Sequence, residues 1–278
     1  MPYAGPDDRL PPSEPLLAEL ADGILTVTLH RPARRNAIDV AMTLAMDALL
    51  DAVMLDPAVR VLVLRGAGED FCAGLDTADF DDATRHDART RRAARATADD
   101  WRVRRLRLLP QPVIAMVHGC CHGGAIAVVE GCDIAFAAED ADFRLAGIDD
   151  VEMPEGAVAK SVSRVMTPRA ARYHALAGRS FDGVEAARNG LVTRSFPAAR
   201  LAPETDLLAA ELAAKDPLAL RFTKETLQHV GAMSWDGALS YNAARFAELK
   251  ALQAGRPSPR AAAVESFLAG RSKPGLGG

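Results

Sequence analysis

Two short glycine-containing segments carry the residues best suited to chemistry in this 278-residue chain. The first loop runs from Phe71 to Asp76 and the second loop from Gly119 to Gly124, and each follows an apolar run that predicts a buried strand. Small residues let backbone N–H groups approach a ligand, and two donors aimed at one oxygen form an oxyanion hole. The second loop also precedes an apolar helix, whose N-terminus favours negative charge. The two loops together predict a site that stabilises an enolate or a tetrahedral oxyanion.

Other chemistries fit these residues less well. Gly66 to Gly68 suggests a dinucleotide-binding loop, but Phe71 stands where a third glycine is needed. Five histidines and cysteines suggest a metal site: His118, Cys120, Cys121, His122 and Cys132. Adjacent cysteines do not easily bind one tetrahedral zinc, and no second Cys-x-x-Cys exists. We therefore expect neither a bound metal nor a nucleotide cofactor.

Composition bounds the class of protein. Apolar residues make up 49% of the chain and charged residues 25%, as in an average globular enzyme. No apolar run approaches the roughly 20 residues that span a bilayer, and no secretory signal opens the chain. The net charge of −4 argues against non-specific nucleic-acid binding, and four cysteines do not make a disulfide framework. We expect a cytoplasmic protein that binds neither nucleic acid nor membrane.

The elements that must position the two loops alternate between strands and helices. An Asp-Gly turn predicts a hairpin over 16–29, and a helix follows over 39–55 with Asp39 as its N-cap. Buried strands are expected at 61–64 and 113–117, with a polar, arginine-rich helix over 84–109 between them. This alternation predicts an α/β layered core.

The C-terminal part of the sequence is helical. Helices are expected beyond Pro203 at 204–215, 217–230, 234–254 and 260–270. The predicted organisation has three parts: a disordered N-terminal segment over 1–15, a core over 16–195, and a helical domain over 196–278.

Ordered motifs resemble the crotonase (enoyl-CoA hydratase/isomerase) superfamily over nearly the whole chain from about Leu16. The motifs that carry the resemblance are His30-Arg31-Pro32, Asn36-Ala37, Val61 to Gly68, Phe71 to Asp76, Pro112 to Gly119 and Gly123-Gly124. The resemblance implies a crotonase-like spiral of ββα units with a C-terminal helical trimerisation domain. It also implies a homotrimer or a dimer of trimers.

The resemblance further implies how an acyl-CoA thioester is bound. The thioester oxygen would be held by the N–H groups of Leu75 and Gly124, and coenzyme A would enter only as part of the substrate, with no separate cofactor. The implied substrate-binding positions are Arg35, Ala37, Ala73, Asp76, Thr77, His122 and Gly123. His122 has a plainer alternative, a turn histidine bonded to backbone.

Within the superfamily, the chain is similar to the hydroxycinnamoyl-CoA hydratase-lyases in four segments: 101–109, 178–192, 234–241 and 267–276. Those relatives hydrate the double bond of a 4-hydroxycinnamoyl thioester and then cleave the product to an aromatic aldehyde and acetyl-CoA. Tyr241 matches the region of their phenol-binding tyrosine. Its alternative is a tyrosine on a helix surface at a subunit interface.

The chain departs from the family at both usual catalytic glutamates. The matching positions hold Ala127, where the lyases have serine, and Gly147. Because neither side chain moves a proton, another carboxylate is needed. Glu155 is the first candidate and Asp150 the second, in a loop that apolar neighbours such as Met153 are expected to bury. The loop also offers Asp149 and Glu152, and the alternative for Glu155 is an acid that complements a helix N-terminus.

Three functions remain open at this point. The first is hydroxycinnamoyl-CoA-like hydration and retro-aldol cleavage. The second is another reaction on the same fold, namely hydrolysis, decarboxylation, C–C cleavage or isomerisation of a specialised metabolite. The third is a non-catalytic acyl-CoA-binding subunit that kept the two loops and lost its acids.

Overall fold

The computed structural model describes residues 15–82, 84–145, 147–148, 153–255 and 259–271, with only the backbone over 259–263. The strands are β1 (Leu16–Ala21), β2 (Ile24–Leu29), β3 (Val61–Gly66), β4 (Val113–Val117), β5 (Cys120–His122), β6 (Ile134–Ala138), β7 (Asp142–Arg144) and β8 (Arg194–Phe196). The helices are α1 (Val40–Leu55), α2 (Thr77–Asp81), α3 (Ala88–Asp100), α4 (Leu106–Leu108), α5 (Ala125–Gly131), α6 (Gly156–Val165), α7 (Pro168–Ala177), α8 (Gly183–Asn189), α9 (Ala198–Ala213), α10 (Pro217–Val230), α11 (Trp235–Gln253) and α12 (Pro259–Leu268). A 3₁₀ turn covers Pro32–Arg34 and a π-helical turn covers Trp101–Arg105.

Six strands form the main sheet in the order β1-β2-β3-β4-β6-β8. The first pair is antiparallel and all the other pairs are parallel. Strands β5 and β7 pair in parallel as a second, two-stranded sheet. The first and second loops follow the carboxyl ends of β3 and β4, which are neighbours in the main sheet, so both loops emerge at the same edge.

Sequence patterns explain the sheet. All five residues of β4 are buried, as is expected of a parallel strand that is covered on both faces. The β1–β2 hairpin turns at Asp22 and Gly23, whose φ values of 52° and 79° give the left-handed turn that twisted strands favour. Helix α1 begins where predicted, because the Asp39 side chain accepts a hydrogen bond from Met42 N–H at 2.7 Å.

Two local predictions were wrong. The second loop contains strand β5, although the sequence pattern predicted only a tight turn. The helix expected over 84–109 begins at Ala88 and widens into the π-helical turn before ending at Leu108. A π turn adds a residue to one helical turn and is often found at functional sites.

The chain divides into two compact units, Met1–Ala214 and Lys215–Gly278, rather than at residues 195–196. The reason is α9, which begins at Ala198 and buries Leu201 and Ala209 as part of the first unit. Pro203 lies inside this helix instead of preceding it, and costs one backbone hydrogen bond without ending the helix.

The second unit consists of helices. In it, α10 and α11 pack together, with the Arg245 guanidinium 4.0 Å from the centre of the Phe222 ring. Helix α11 buries none of its residues in the single chain. Within the part of the chain that the structure describes, no helix is long and apolar enough to cross a membrane.

Candidate active site

The first and second loops lie directly against each other. Cys72 N–H donates to the Cys120 carbonyl at 2.9 Å, and His122 N–H donates to the Cys72 carbonyl at 3.1 Å. Glycine is required at this contact, since Gly74 has a φ of 98° and a Cβ there would lie 2.8 Å from the His122 carbonyl. A Cβ on Gly124 would likewise lie 3.3 Å from Leu75 Cγ. The two predicted donor residues therefore meet in space.

The N–H groups of Leu75 and Gly124 donate no hydrogen bond to any residue that the structure describes, although the neighbouring Asp76 and Gly123 N–H groups do donate one. Gly124 is buried and Leu75 half-buried. Because nearly all buried N–H groups in proteins find a partner, two free donors side by side suit an external oxygen.

The predicted substrate-binding segment around Arg35 lies beside the first loop. Ala73 N–H donates to the Arg35 carbonyl at 2.9 Å, and Ile38 N–H donates to the Gly74 carbonyl at 2.8 Å. Arg35 and Asn36 both adopt left-handed backbone, with φ of 50° and 54°. The fully buried Asn36 amide stabilises this turn by donating to the carbonyls of residues 67 and 70, at 2.8 Å and 2.7 Å.

Asp70 links the segment around Arg35 to the second loop through hydrogen bonds. Its carboxylate accepts from Arg35 Nε at 3.1 Å and from Cys120 N–H at 2.8 Å. Burial alone would raise the pKa of Asp70, but these two hydrogen bonds outweigh it and lower the pKa. The same bond to Asp70 raises the pKa of Arg35.

The remaining predicted substrate-binding positions stand on the same edge. Asp76 is the N-cap of α2 and accepts from both terminal nitrogens of Arg31 at 3.1 Å, while Thr77 opens the helix and is exposed. The Ala37 carbonyl accepts from Arg31 at 2.5 Å. Arg31 therefore ties the Ala37 turn to the first loop.

Glu155 stands close to the oxyanion loops and is held by a buried arginine. Arg102 is completely buried, and its Nη1 lies 3.1 Å from Glu155 Oε2 and 3.1 Å from the Gly124 carbonyl oxygen. These two oxygens therefore cannot be farther apart than twice that distance. Glu155 is the N-cap of α6 by position, but its side chain makes no capping hydrogen bond. The carboxylate turns to Arg102 instead, and 38% of the side chain stays exposed.

The backbone conformation leaves no room for a glutamate side chain at one of the family's two usual catalytic positions. Gly147 has a φ of 122°, and a Cβ there would lie 2.7 Å from the backbone of Met153. Ala127 is fully buried in α5. The expectation that Met153 buries the acidic loop was wrong, since Met153 is 80% exposed. The second candidate, Asp150, lies outside the described residues, as do Asp149 and Glu152.

His122 bonds to a carboxylate and not, through its ring, to backbone. Its Nε2 lies 2.7 Å from Asp142 Oδ2, because β5 and β7 are paired. Burial raises the pKa of Cys72 to about 12 and that of Cys120 to about 11, which disfavours the nucleophilic thiolate form of both. Among the described residues no cluster of three or more His, Cys, Asp or Glu side chains is placed for a metal ion.

Two other side chains, the acidic Glu130 and the aromatic Tyr241, have partners within the fold. Glu130 on α5 is a fully buried ion-pair partner of Arg107 and Arg164 and also accepts a hydrogen bond from Ser161 Oγ at 3.1 Å. Burial raises its pKa although both arginines oppose this effect. Tyr241 lies on α11 in the second unit, where its ring packs edge-on 5.8 Å from the His229 ring.

The fold and the paired loops define a crotonase-type enzyme. A model of the enoyl-CoA hydratase/isomerase family matches residues 19–258, so the chain belongs to that family. An enoyl-CoA hydratase structure from Mycobacterium smegmatis superimposes with a TM-score of 0.81 at 27% identity, covering 92% of this chain and 97% of that one. The predicted family and fold class are thereby confirmed, and the chain is an acyl-CoA enzyme of this family.

Two relatives with different named reactions are similar to this chain. Hydroxycinnamoyl-CoA hydratase-lyase of Pseudomonas fluorescens is 34% identical over 260 residues, covering 93% of this chain and 94% of the relative. The mitochondrial Delta(3,5)-Delta(2,4)-dienoyl-CoA isomerase of Homo sapiens is 31% identical over 229 residues, covering 78% and 69%. Sequence similarity thus extends to a lyase and to an isomerase.

Proposed function

We propose that this protein hydrates a hydroxycinnamoyl-CoA-like thioester and cleaves the product to an aromatic aldehyde and acetyl-CoA. One observation carries the proposal: the N–H groups of Leu75 and Gly124 have no acceptor among the described residues, and Arg102 bonds to both the Gly124 carbonyl and the Glu155 carboxylate. The similarity to the Pseudomonas fluorescens lyase supports this reaction over others in the family.

The proposed chemistry needs an electron sink and a proton carrier. Water adds across the conjugated double bond, with its oxygen at Cβ and a proton at Cα. Removal of the β-hydroxyl proton then breaks the Cα–Cβ bond, and the electron pair moves onto the thioester oxygen as an enolate. Leu75 and Gly124 N–H groups stabilise that oxygen in both steps. Protonation of the enolate carbon releases acetyl-CoA.

Glu155 is the proposed proton carrier. It is the one carboxylate among the described residues that shares Arg102 Nη1 with the Gly124 carbonyl, since Asp99 pairs with this guanidinium through Nη2. Its side chain is partly exposed and does not cap α6, so it can meet a substrate while Arg102 holds it through Oε2. A general acid or base contributes about 10²–10⁴ in rate.

The test of the reaction is direct. Incubation with feruloyl-CoA is expected to bleach the absorbance of the conjugated thioester and to yield one equivalent each of aldehyde and acetyl-CoA. A bleached thioester without aldehyde would point to hydration alone. Unchanged absorbance would refute the lyase reaction.

Glu155→Gln tests the proton carrier. We expect a loss of about 10²–10⁴ in kcat with a changed pH profile. Asp182→Asn is the matched control, because Asp182 is an N-cap acid whose side chain does cap its helix, accepting from Glu185 N–H at 2.7 Å. The control is expected to keep wild-type turnover and nearly all of its stability, because asparagine caps a helix about as well as aspartate does. Wild-type turnover in Glu155→Gln would remove Glu155 from the mechanism and leave Asp150 as the next candidate; wild-type turnover in Asp150→Asn as well would leave His122 and Tyr241.

A second candidate function is another reaction of an acyl-CoA on the same loops. The observation that favours it is Gly147, where the backbone leaves no room for the family's glutamate. Turnover of a different CoA ester with none of feruloyl-CoA would select this function. Tight binding of CoA esters with turnover of none would select a non-catalytic binding subunit.

We also propose that the protein assembles as a trimer or a dimer of trimers. In the single chain α11 exposes large apolar side chains, including Trp235 at 84% and Leu239 at 63%. Apolar surface of this kind usually marks an interface. Light scattering is expected to give three or six times the 29.5 kDa chain mass, and a strict monomer would refute the proposal.

A further inference from the structure

Arg102 is a fully buried charged side chain next to Gly124, and all three nitrogens of its guanidinium are hydrogen-bonded. Nε donates to the Ala98 carbonyl at 2.8 Å, and Nη2 donates to Asp99 at 2.6 Å. Both terminal nitrogens reach Glu155 Oε2 at 3.1 Å. Burying a charge is costly unless its partners are well placed, so this arrangement constrains all of them.

The same guanidinium also fixes the backbone of an oxyanion donor. Nη1 donates to the Gly124 carbonyl at 3.1 Å, and a Cβ on Gly124 would lie only 2.4 Å from Nη1. Gly124 therefore packs against the arginine without a gap. A shift of the guanidinium would therefore disturb both Gly124, a proposed oxyanion donor, and the Glu155 carboxylate.

The π-helical turn places Arg102 at this point. The turn closes with Leu106 N–H donating to the Trp101 carbonyl, five residues back. Trp101 and Arg102 are both fully buried by the turn, while Arg104, two residues later, is exposed and pairs with Asp100. The irregular helical turn thus contains a fully buried arginine.

We propose that Arg102 is a positioning residue that sets the oxyanion donor of Gly124 and the Glu155 carboxylate in register with each other. The proposal rests on the proposed function of that same site. Its planar fork serves two oxygens at once, which the point charge of a lysine does not do. It touches no substrate atom and acts through the two groups that do.

The experiment compares three variants: Arg102→Ala, Arg102→Lys and the control Arg104→Ala. We expect Arg102→Ala to lose about 10²-fold in kcat, the effect of misplacing catalytic groups by about 1 Å. Guanidinium at a concentration far below its denaturing range is expected to restore part of that loss. Arg102→Lys, which keeps the charge and serves if the alanine variant fails to fold, is expected to stay well below wild type. Arg104→Ala is expected to match wild type.

A spectroscopic measurement separates this inference from the lyase reaction. The absorbance of bound 4-methoxycinnamoyl-CoA shifts to longer wavelength when hydrogen bonds polarise its thioester carbonyl. We expect the shift in wild type, its reduction in both Arg102 variants, and its return with guanidinium in Arg102→Ala. A wild type that shows the shift but does not turn over feruloyl-CoA would refute the lyase reaction and leave the role of Arg102 standing. A full shift and full rate in Arg102→Lys, or guanidinium that restores neither in a folded Arg102→Ala, would overturn the inference. A wild type without shift or turnover would overturn both.

Discussion

Replacing Gly124 separates the contribution of one N–H group from that of the space around it. Proline at this position removes the N–H, and the Gly124 φ of −57° already suits a proline ring. Proline also adds a Cβ, which would lie 2.4 Å from Arg102 Nη1. Alanine adds the same Cβ and keeps the N–H. The difference between Gly124→Pro and Gly124→Ala therefore isolates the donor.

The magnitudes of the two effects differ enough to be told apart. The clash with Arg102 is common to both variants and costs about 1–3 kcal/mol of stability. Loss of one oxyanion donor costs about 10²–10³ in kcat, equivalent to about 2.7–4 kcal/mol of transition-state stabilisation. We therefore expect Gly124→Pro to fall about 10²–10³-fold below Gly124→Ala in kcat, whatever the rate of the alanine variant.

The assay is turnover of feruloyl-CoA, or of whichever CoA ester the wild type consumes, at saturating concentration. Thermal unfolding of each variant is measured in parallel, because the Gly123 φ of 50° lies outside the extended region that a residue before proline prefers. Equal kcat values in folded Gly124→Pro and Gly124→Ala would refute the assignment of this N–H to the oxyanion.

Two further predictions concern stability. Asp70→Asn is expected to cost about 1–2 kcal/mol at pH 7, because charge-assisted hydrogen bonds from Arg35 and Cys120 N–H are weakened. Since the folded-state pKa of Asp70 is lowered, its contribution is present above the carboxyl group's ordinary pKa and is lost as the pH falls through the folded value. Chemical unfolding of both proteins over pH 3–7 checks this, and a pH-independent difference would contradict it. Gly119→Ala is expected to cost about 3 kcal/mol, since φ is 55° and a Cβ would lie 2.0 Å from the Glu69 carbonyl oxygen. Gly231→Ala, which meets nothing within 4 Å, is its control in thermal unfolding, and equal melting temperatures would contradict the reasoning.

The sequence was sufficient to predict the two loops because their chemistry is local. A glycine beside an apolar strand signals a backbone turn wherever it occurs, and the hairpin at Asp22-Gly23 and the cap at Asp39 are equally short-range features. Helix α9 shows where such signals fail. Pro203 marks a helix start by local rules, but packing of Leu201 and Ala209 in the first unit extends the helix backwards through it.

No sequence pattern distinguishes Arg102 as a buried residue. It stands among other arginines on a polar stretch, and its pattern does not differ from that of the exposed Arg104. Its burial depends on Gly124 and Glu155, which lie 22 and 53 positions away in the chain. Strand β5 was missed for the same reason, since its partner β7 follows only after a helix and another strand. Contacts between segments that are distant in the chain produce no local periodicity in the sequence, so sequence patterns do not predict them.

The proposed oxyanion donors belong to the main chain. Recognition of the thioester therefore depends on different groups from the side chains that transfer protons. A change of side chain at position 75 leaves that N–H in place, so thioester recognition tolerates much sequence divergence. Proton transfer depends on individual side chains. Here Ala127 and Gly147 stand at the two usual glutamate positions and cannot transfer a proton, while Arg102 orients the carboxylate of Glu155. Overall sequence identity therefore predicts recognition of a CoA thioester more reliably than it predicts the reaction that the bound thioester undergoes. Among members of this family, the inventory of carboxylates around the acyl group is the better guide to the reaction.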